Sequence, residues 1–66
     1  MQITLKAARV NAGLRQVDAA KAINISKSTL ISWESGKTSP KAWQMQQLCE
    51  LYGTPIDYIF FPSNPL

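Results

Sequence analysis

Histidine is absent from the 66 residues, and cysteine occurs once, at Cys49. Without imidazoles and with one thiol, the usual zinc-ligand spacings cannot be assembled and no internal disulfide can form. No metal is expected. Acids are also few: Asp18, Glu34, Glu50 and Asp57 are the whole set, scattered along the chain. Lacking the commonest general base and any paired carboxylates, the chain is poorly equipped for acid–base catalysis. It is therefore expected to be neither an enzyme nor the holder of a cofactor. Apolar runs extend only a few residues, far short of the roughly 20 that a membrane helix needs, and Met1 is not followed by a basic-then-apolar signal region. A membrane partner is thus excluded from the expectation, which places the protein in the cytoplasm.

What the chain does contain is enough apolar material for one core. It is 45% hydrophobic and 17% charged, a balance that suits a folded domain and argues against disorder or a coiled coil. A domain of this length buries only about 60% of the surface its unfolded chain exposes, so modest stability is expected of a single domain over residues 1–66. The formal net charge is +3 and the pI near 9.4, which favours an anionic partner but also serves ordinary solubility.

The punctuation marks out five helices. Thr4 can cap a helix to Ala12 in which Leu5, Ala8, Arg9 and Ala12 recur at helical spacing, before Gly13 supplies a left-handed stop. A second helix, Gln16 to Ile23, places Val17, Ala20 and Ile23 on one face, with Asp18 in its first turn where the helix dipole favours a carboxylate. Asn24 then suits a left-handed turn position. Ser26 caps a third helix, Lys27 to Ser35, which turns Leu30 and Trp33 inward and ends at Gly36. Ser39-Pro40 reads as a cap followed by proline at the first helical position, opening a fourth helix with a stripe of Ala42 or Trp43, Met45, Leu48, Cys49 and Tyr52 up to Gly53. Thr54-Pro55-Ile56-Asp57 repeats the device and opens a fifth, Ile56 to Phe61, which Pro62 and Pro65 forbid from continuing. The Tyr-Ile-Phe-Phe run at 58–61 is the one β-friendly stretch, and Pro55 with its cap favours helix there. The fold class expected is all-α. Trp33, Trp43, Met45, Cys49, Tyr58 and the two phenylalanines are read as core, since they sit at apolar helical spacing.

The segment from Gln16 to Pro40 resembles the helix-turn-helix of the phage repressor and Cro family, often called the XRE family. The most specific pieces are Gln16 opening the second helix, the small Ala20 in its middle, and Trp33-Glu34-Ser35-Gly36-Lys37 closing the third. Two departures stand out. Asn24 occupies a turn position where the family places glycine, and Arg15 stands where a small polar cap is common. The resemblance covers nearly the whole chain and implies a compact five-helix, lambda-repressor-like domain whose helix-turn-helix spans about residues 16–35.

Roles follow from that resemblance together with the physics of the positions. Two helices joined by a short turn must pack closely, and Ala20 allows it. Leu30 and Trp33 anchor the third helix from beneath, leaving Lys27, Ser28, Ile31 and Ser32 on the opposite face, which fits a major groove about 12 Å wide. Lys27, Ser28 and Ser32 are the candidate base contacts. Gln16 is expected to bond a phosphate while bracing the start of the third helix, and Arg15, Lys37, Ser39 and Lys41 to hold register on the backbone. Amides at the starts of the second and fourth helices can add phosphate contacts. In the family, the arginine matching Arg9 pairs with the acid matching Glu34, so a structural ion pair is expected here. Ile56, Tyr58, Ile59, Phe60 and Phe61 carry more apolar surface than one short helix can bury, which points to a homodimer interface.

The function these readings imply is a transcriptional regulator, most simply a repressor, that binds double-stranded DNA as a dimer over an approximate palindrome. With almost no chain outside the binding unit, no ligand-sensing domain and no small-molecule ligand are expected. The competing reading is an antitoxin or other interaction module using the same fold to hold a protein, and a phage excision or lysogeny switch factor also fits.

Overall fold

Residues 2–60 are described by a computed structural model, with the side chain of Phe60 outside that description. Four helices form in chain order: α1 (Leu5–Asn11), α2 (Gln16–Ala22), α3 (Lys27–Ser35) and α4 (Ala42–Tyr52). None is long and apolar enough to cross a membrane. Two of them start on side-chain caps. Thr4 Oγ1 accepts from the Ala7 amide at 3.0 Å, and Ser26 Oγ from the Thr29 amide at 3.1 Å, each satisfying a donor that the first helical turn leaves free.

All four helices end by one device. A residue adopts the left-handed conformation, and the next amide reaches back to the carbonyl five positions earlier: Leu14 to Arg9, Ile25 to Ala20, Lys37 to Ser32, and Thr54 to Cys49. Glycine fills the left-handed position at Gly13, Gly36 and Gly53, and Asn24 fills it at φ 61° between α2 and α3. At Gly13 and Gly53 a Cβ would meet nothing within 4 Å, so the backbone angle alone selects glycine there. Asparagine tolerates the same region, which is why Asn24 leaves the turn between α2 and α3 intact.

The start of α4 departs from the sequence reading. Ser39 and Pro40 lie in the loop before the helix, and Lys41 is the residue flanking its first turn. The Gln44 side chain decides this by accepting from the Lys41 amide at 2.9 Å, which sets the first turn two residues later than the serine-proline pair suggests. Lysine has no acceptor of its own, so no side chain caps the next amides.

The core gathers Leu5 and Ala8 of α1, Ala19 and Ala20 of α2, Leu30 and Trp33 of α3, Met45, Leu48, Cys49 and Tyr52 of α4, and Ile59. Ile3, Leu14, Ile23, Ile25 and Leu51 pack at its edge. Three alanines, Ala8, Ala19 and Ala20, are buried in it, and small residues on inward faces let short helices such as α2 and α3 pack closely. Val17, expected inside, is exposed. A helix rotates by about 100° per residue, so a face centred between Ala19 and Ala20 takes in Gln16 and turns Val17 out.

Trp43 is the larger correction: it is 62% exposed. The α4 stripe is centred on Met45, Leu48, Cys49 and Tyr52, and Trp43 precedes Met45 by two residues, on the far side of the helix. Trp43→Ala should accordingly change the unfolding free energy by no more than about 0.5 kcal/mol, as an ordinary surface substitution does. Urea denaturation checks this, and a loss of several kcal/mol would place the indole in the core.

The fifth helix does not form. Ile56–Tyr58 make a single 3₁₀ turn, and Ile59–Phe60 continue as a strand, β2, paired in parallel with β1 (Ile3–Thr4) in the register Ile3 to Ile59 and Thr4 to Phe60. The domain is therefore mostly helical, with a two-residue parallel ladder tying its ends together. Pro55 takes ψ 140°, an extended conformation, and no side chain caps the turn that follows. A helix of so few residues gains little against its nucleation cost, whereas β-branched and aromatic residues suit the pleated ladder that the N-terminal strand offers. Ile59, expected at a dimer interface, is instead 4% exposed and part of the monomer core. Tyr58, expected in the core, is exposed, as is Ile56. Phe61, Pro62, Pro65 and the Phe60 side chain lie outside the described residues.

Candidate nucleic-acid interface

The frame of the site is a buried polar cluster. Arg9 on α1 donates from Nε to Glu34 Oε2 at 2.7 Å and from Nη2 to Glu34 Oε1 at 3.3 Å. Its Nη1 donates to the Leu14 carbonyl at 2.8 Å, fixing the loop that leads into α2. Gln16, the first residue of α2, donates from Nε2 to Glu34 Oε1 at 3.0 Å. The carboxylate near the end of α3 thus accepts three N–H groups, and the two charged side chains are only 9% and 5% exposed. A buried charge is tolerable only when paired and hydrogen-bonded this way. Gln16 therefore braces α3 near its end rather than at its start.

Tyr52 of α4 belongs to the same neighbourhood. Its hydroxyl is buried with no hydrogen-bond partner among the described residues. Burial, reinforced by the Glu34 charge and opposed by Arg9, pushes the phenol up to about 12, so it stays neutral at ordinary pH.

On the outer side of α3, Lys27, Ser28 and Ile31 are exposed and Ser32 is half-buried, over a helix held from beneath by Leu30 and Trp33. Ser28 Oγ lies 3.2 Å from the capping Ser26 Oγ, which in turn lies 2.8 Å from Thr29 Oγ1, forming a small hydroxyl cluster at the start of the helix. The hydroxyl hydrogens rotate freely, so these side chains can donate or accept.

The other candidates flank α3. Lys37 and Ser39 are exposed in the loop to α4, and Lys41 is exposed at its start. Arg15 flanks α2 and is engaged with Asp18 in an exposed fork, Nε to Oδ2 at 2.9 Å and Nη2 to Oδ1 at 3.1 Å. The hydrogen bonds of that fork, with the opposite charges, hold the Asp18 carboxyl below its ordinary value and raise the Arg15 guanidinium. Neither α2 nor α4 has a side-chain cap on its N-terminus, unlike α1 and α3. Among the described residues the ion pairs are Arg9 with Glu34 and Arg15 with Asp18, which leaves the lysines without carboxylate partners. Lys27 at the start of α3, Lys37 just past its end and Lys41 before the first turn of α4 thus carry uncompensated positive charge, while the unpaired acids Glu50 and Asp57 sit late in α4 and beyond it.

The Leu14 carbonyl and the Gln16 to Glu34 bond were not read from the sequence. A signal for the second existed: Gln16 precedes Ala19 by three and Ala20 by four, which places a polar side chain in the middle of an otherwise buried face.

The family model described as helix-turn-helix matches residues 5–59, from the first residue of α1 to the first of β2. Over 48 residues the chain is 38% identical to the cryptic phage CTXphi transcriptional repressor RstR of Vibrio cholerae, an alignment covering 73% of this chain and 43% of that protein. The chain therefore spans less than half the length of that relative. No solved structure matches it. With the family pattern running through all four helices and a phage repressor as a relative, this chain belongs to the helix-turn-helix family of the phage repressor or XRE type.

Proposed function

We propose that this protein is a transcriptional repressor that binds double-stranded DNA in a sequence-specific way, with the N-terminal half of α3 in the major groove. The observation that carries the reading is the presentation of α3: Lys27, Ser28, Ile31 and Ser32 face outward from a helix whose other side is locked by Leu30, Trp33 and the Glu34 cluster. A helix held from beneath, with Ser28 and Ser32 outward, can approach base edges closely, and the unpaired lysines supply attraction to phosphates. Lys27 reads guanine acceptors, Ser28 and Ser32 add permissive contacts, and Gln16, Arg15, Lys37, Ser39 and Lys41 bond the backbone. The chain works as a homodimer over an approximate palindrome, its third helices about 34 Å apart, with Ile56 and Tyr58 on the joining surface. Family membership and the repressor relative support a role in transcriptional regulation; the protein acts in the cytoplasm, by occluding the promoter.

Selection of binding sites from a randomised duplex library, repeated for two variants, tests the reading. Lys27→Ala should lose about 1–3 kcal/mol on the selected site and relax preference at one position per half-site. Lys41→Ala should weaken all sequences alike. Equal, sequence-blind losses from both would take α3 out of the groove, and no enrichment by the parent protein would favour a protein-binding module.

A further inference from the structure

Glu34 has two neighbours with different fates: Arg9 is shut inside the domain, while Gln16 is half-buried at the edge of the proposed interface. A glutamine amide is two-sided, since one end donates and the other accepts, and only the donating end is of use to a phosphate. A carboxylate is acceptor-only, so Glu34 decides which way the amide faces. With Nε2 directed to Glu34 Oε1 at 3.0 Å, one N–H is consumed and the second is left without a partner among the described residues. Arg9 fixes the carboxylate through both Nε and Nη2 and holds the Leu14 carbonyl at 2.8 Å, two residues before Gln16. The side chain and the backbone that carry the amide are therefore set by the same arginine.

We infer that Glu34 is a positioning residue for DNA binding: it holds the Gln16 amide so that its remaining N–H meets a backbone phosphate. Without that anchor the amide can turn through 180° and present its carbonyl oxygen, which a phosphate repels. The ion pair thus links the α1–α2–α3 packing to a phosphate contact. This rests on the DNA-binding reading above.

A phosphate contact is blind to sequence, so a 30-bp duplex of random sequence at low salt is a sufficient probe. Gln16→Ala should bind it about tenfold or more weaker per protomer, as for a hydrogen bond to a charged group. Because glutamine is neutral and displaces no counterion, the slope of log affinity against log salt should not change. Glu34→Asp keeps the charge beside Arg9 but withdraws the carboxylate by one methylene, and should weaken binding while the circular dichroism of the fold is retained. In the double variant the losses should not add, because both act through one contact. In the parent, duplex addition should shift the Gln16 side-chain amide resonances in ¹⁵N NMR, a reading that needs no variant to fold. Additive losses, an unchanged Gln16→Ala affinity, or amide resonances indifferent to duplex would each overturn the inference. Absence of any duplex binding by the parent would overturn the DNA-binding reading with it.

Discussion

Replacing Glu34 with glutamine should cost about 3–5 kcal/mol of folding stability, the range found when one partner of a buried ion pair is removed. The reason is the position of Arg9, whose side chain is 9% exposed and whose charge the variant leaves with neutral acceptors alone. Desolvation of the guanidinium is then offset by the Leu14 carbonyl and an amide oxygen instead of a carboxylate. Set against about 0.05–0.15 kcal/mol of stability per residue for a typical domain, a loss of this size can unfold a chain this short. Urea denaturation of parent and variant decides the matter. A difference under about 0.5 kcal/mol would show that the pair behaves as an exposed one and that the α1, α2 and α3 packing holds without it.

Duplex binding should weaken by about 10³- to 10⁵-fold when salt is raised from about 50 to 200 mM, if about 6–10 phosphates are neutralised per dimer. The expectation comes from the three cations placed on phosphates in each protomer, Arg15, Lys37 and Lys41. Arg9 is consumed in the core, and Arg15 exchanges its exposed fork with Asp18 for a phosphate, whereas Lys37 and Lys41 are exposed and carry no carboxylate partner among the described residues. Each that meets a phosphate releases a condensed counterion, and the slope of log affinity against log salt counts them at about 0.9 per contact. Fluorescence anisotropy on the selected site across a salt series measures that slope. A slope of half the expected size would mean one protomer per site, and a flat line would remove the phosphate contacts on which the DNA-binding reading stands.

The sequence by itself determined the local events. Caps at Thr4 and Ser26, left-handed stops at Gly13, Asn24, Gly36 and Gly53, and the inward Leu30 and Trp33 are all consequences of residues a few positions apart, which short-range sterics and hydrogen bonds dictate. The family, and with it the outward residues of α3, was legible for the same reason, because a helix-turn-helix is written in one contiguous stretch. Tertiary structure decided the rest. Trp43 and Val17 are apolar residues near a helical stripe, and only the rotation of each helix against its neighbours turned them to solvent. Ile59 and Phe60 had a choice between a short helix and a strand, and the outcome depended on β1, whose residues lie more than fifty positions earlier. A partner so distant lends the ladder its hydrogen bonds only after the core has closed the loop between them, so nothing in the local pattern could announce it. The bond between Gln16 and Glu34 has the same character: an amide on one helix donates to a carboxylate on another because α2 and α3 pack together, with the small Ala19 and Ala20 buried on the inward face of α2.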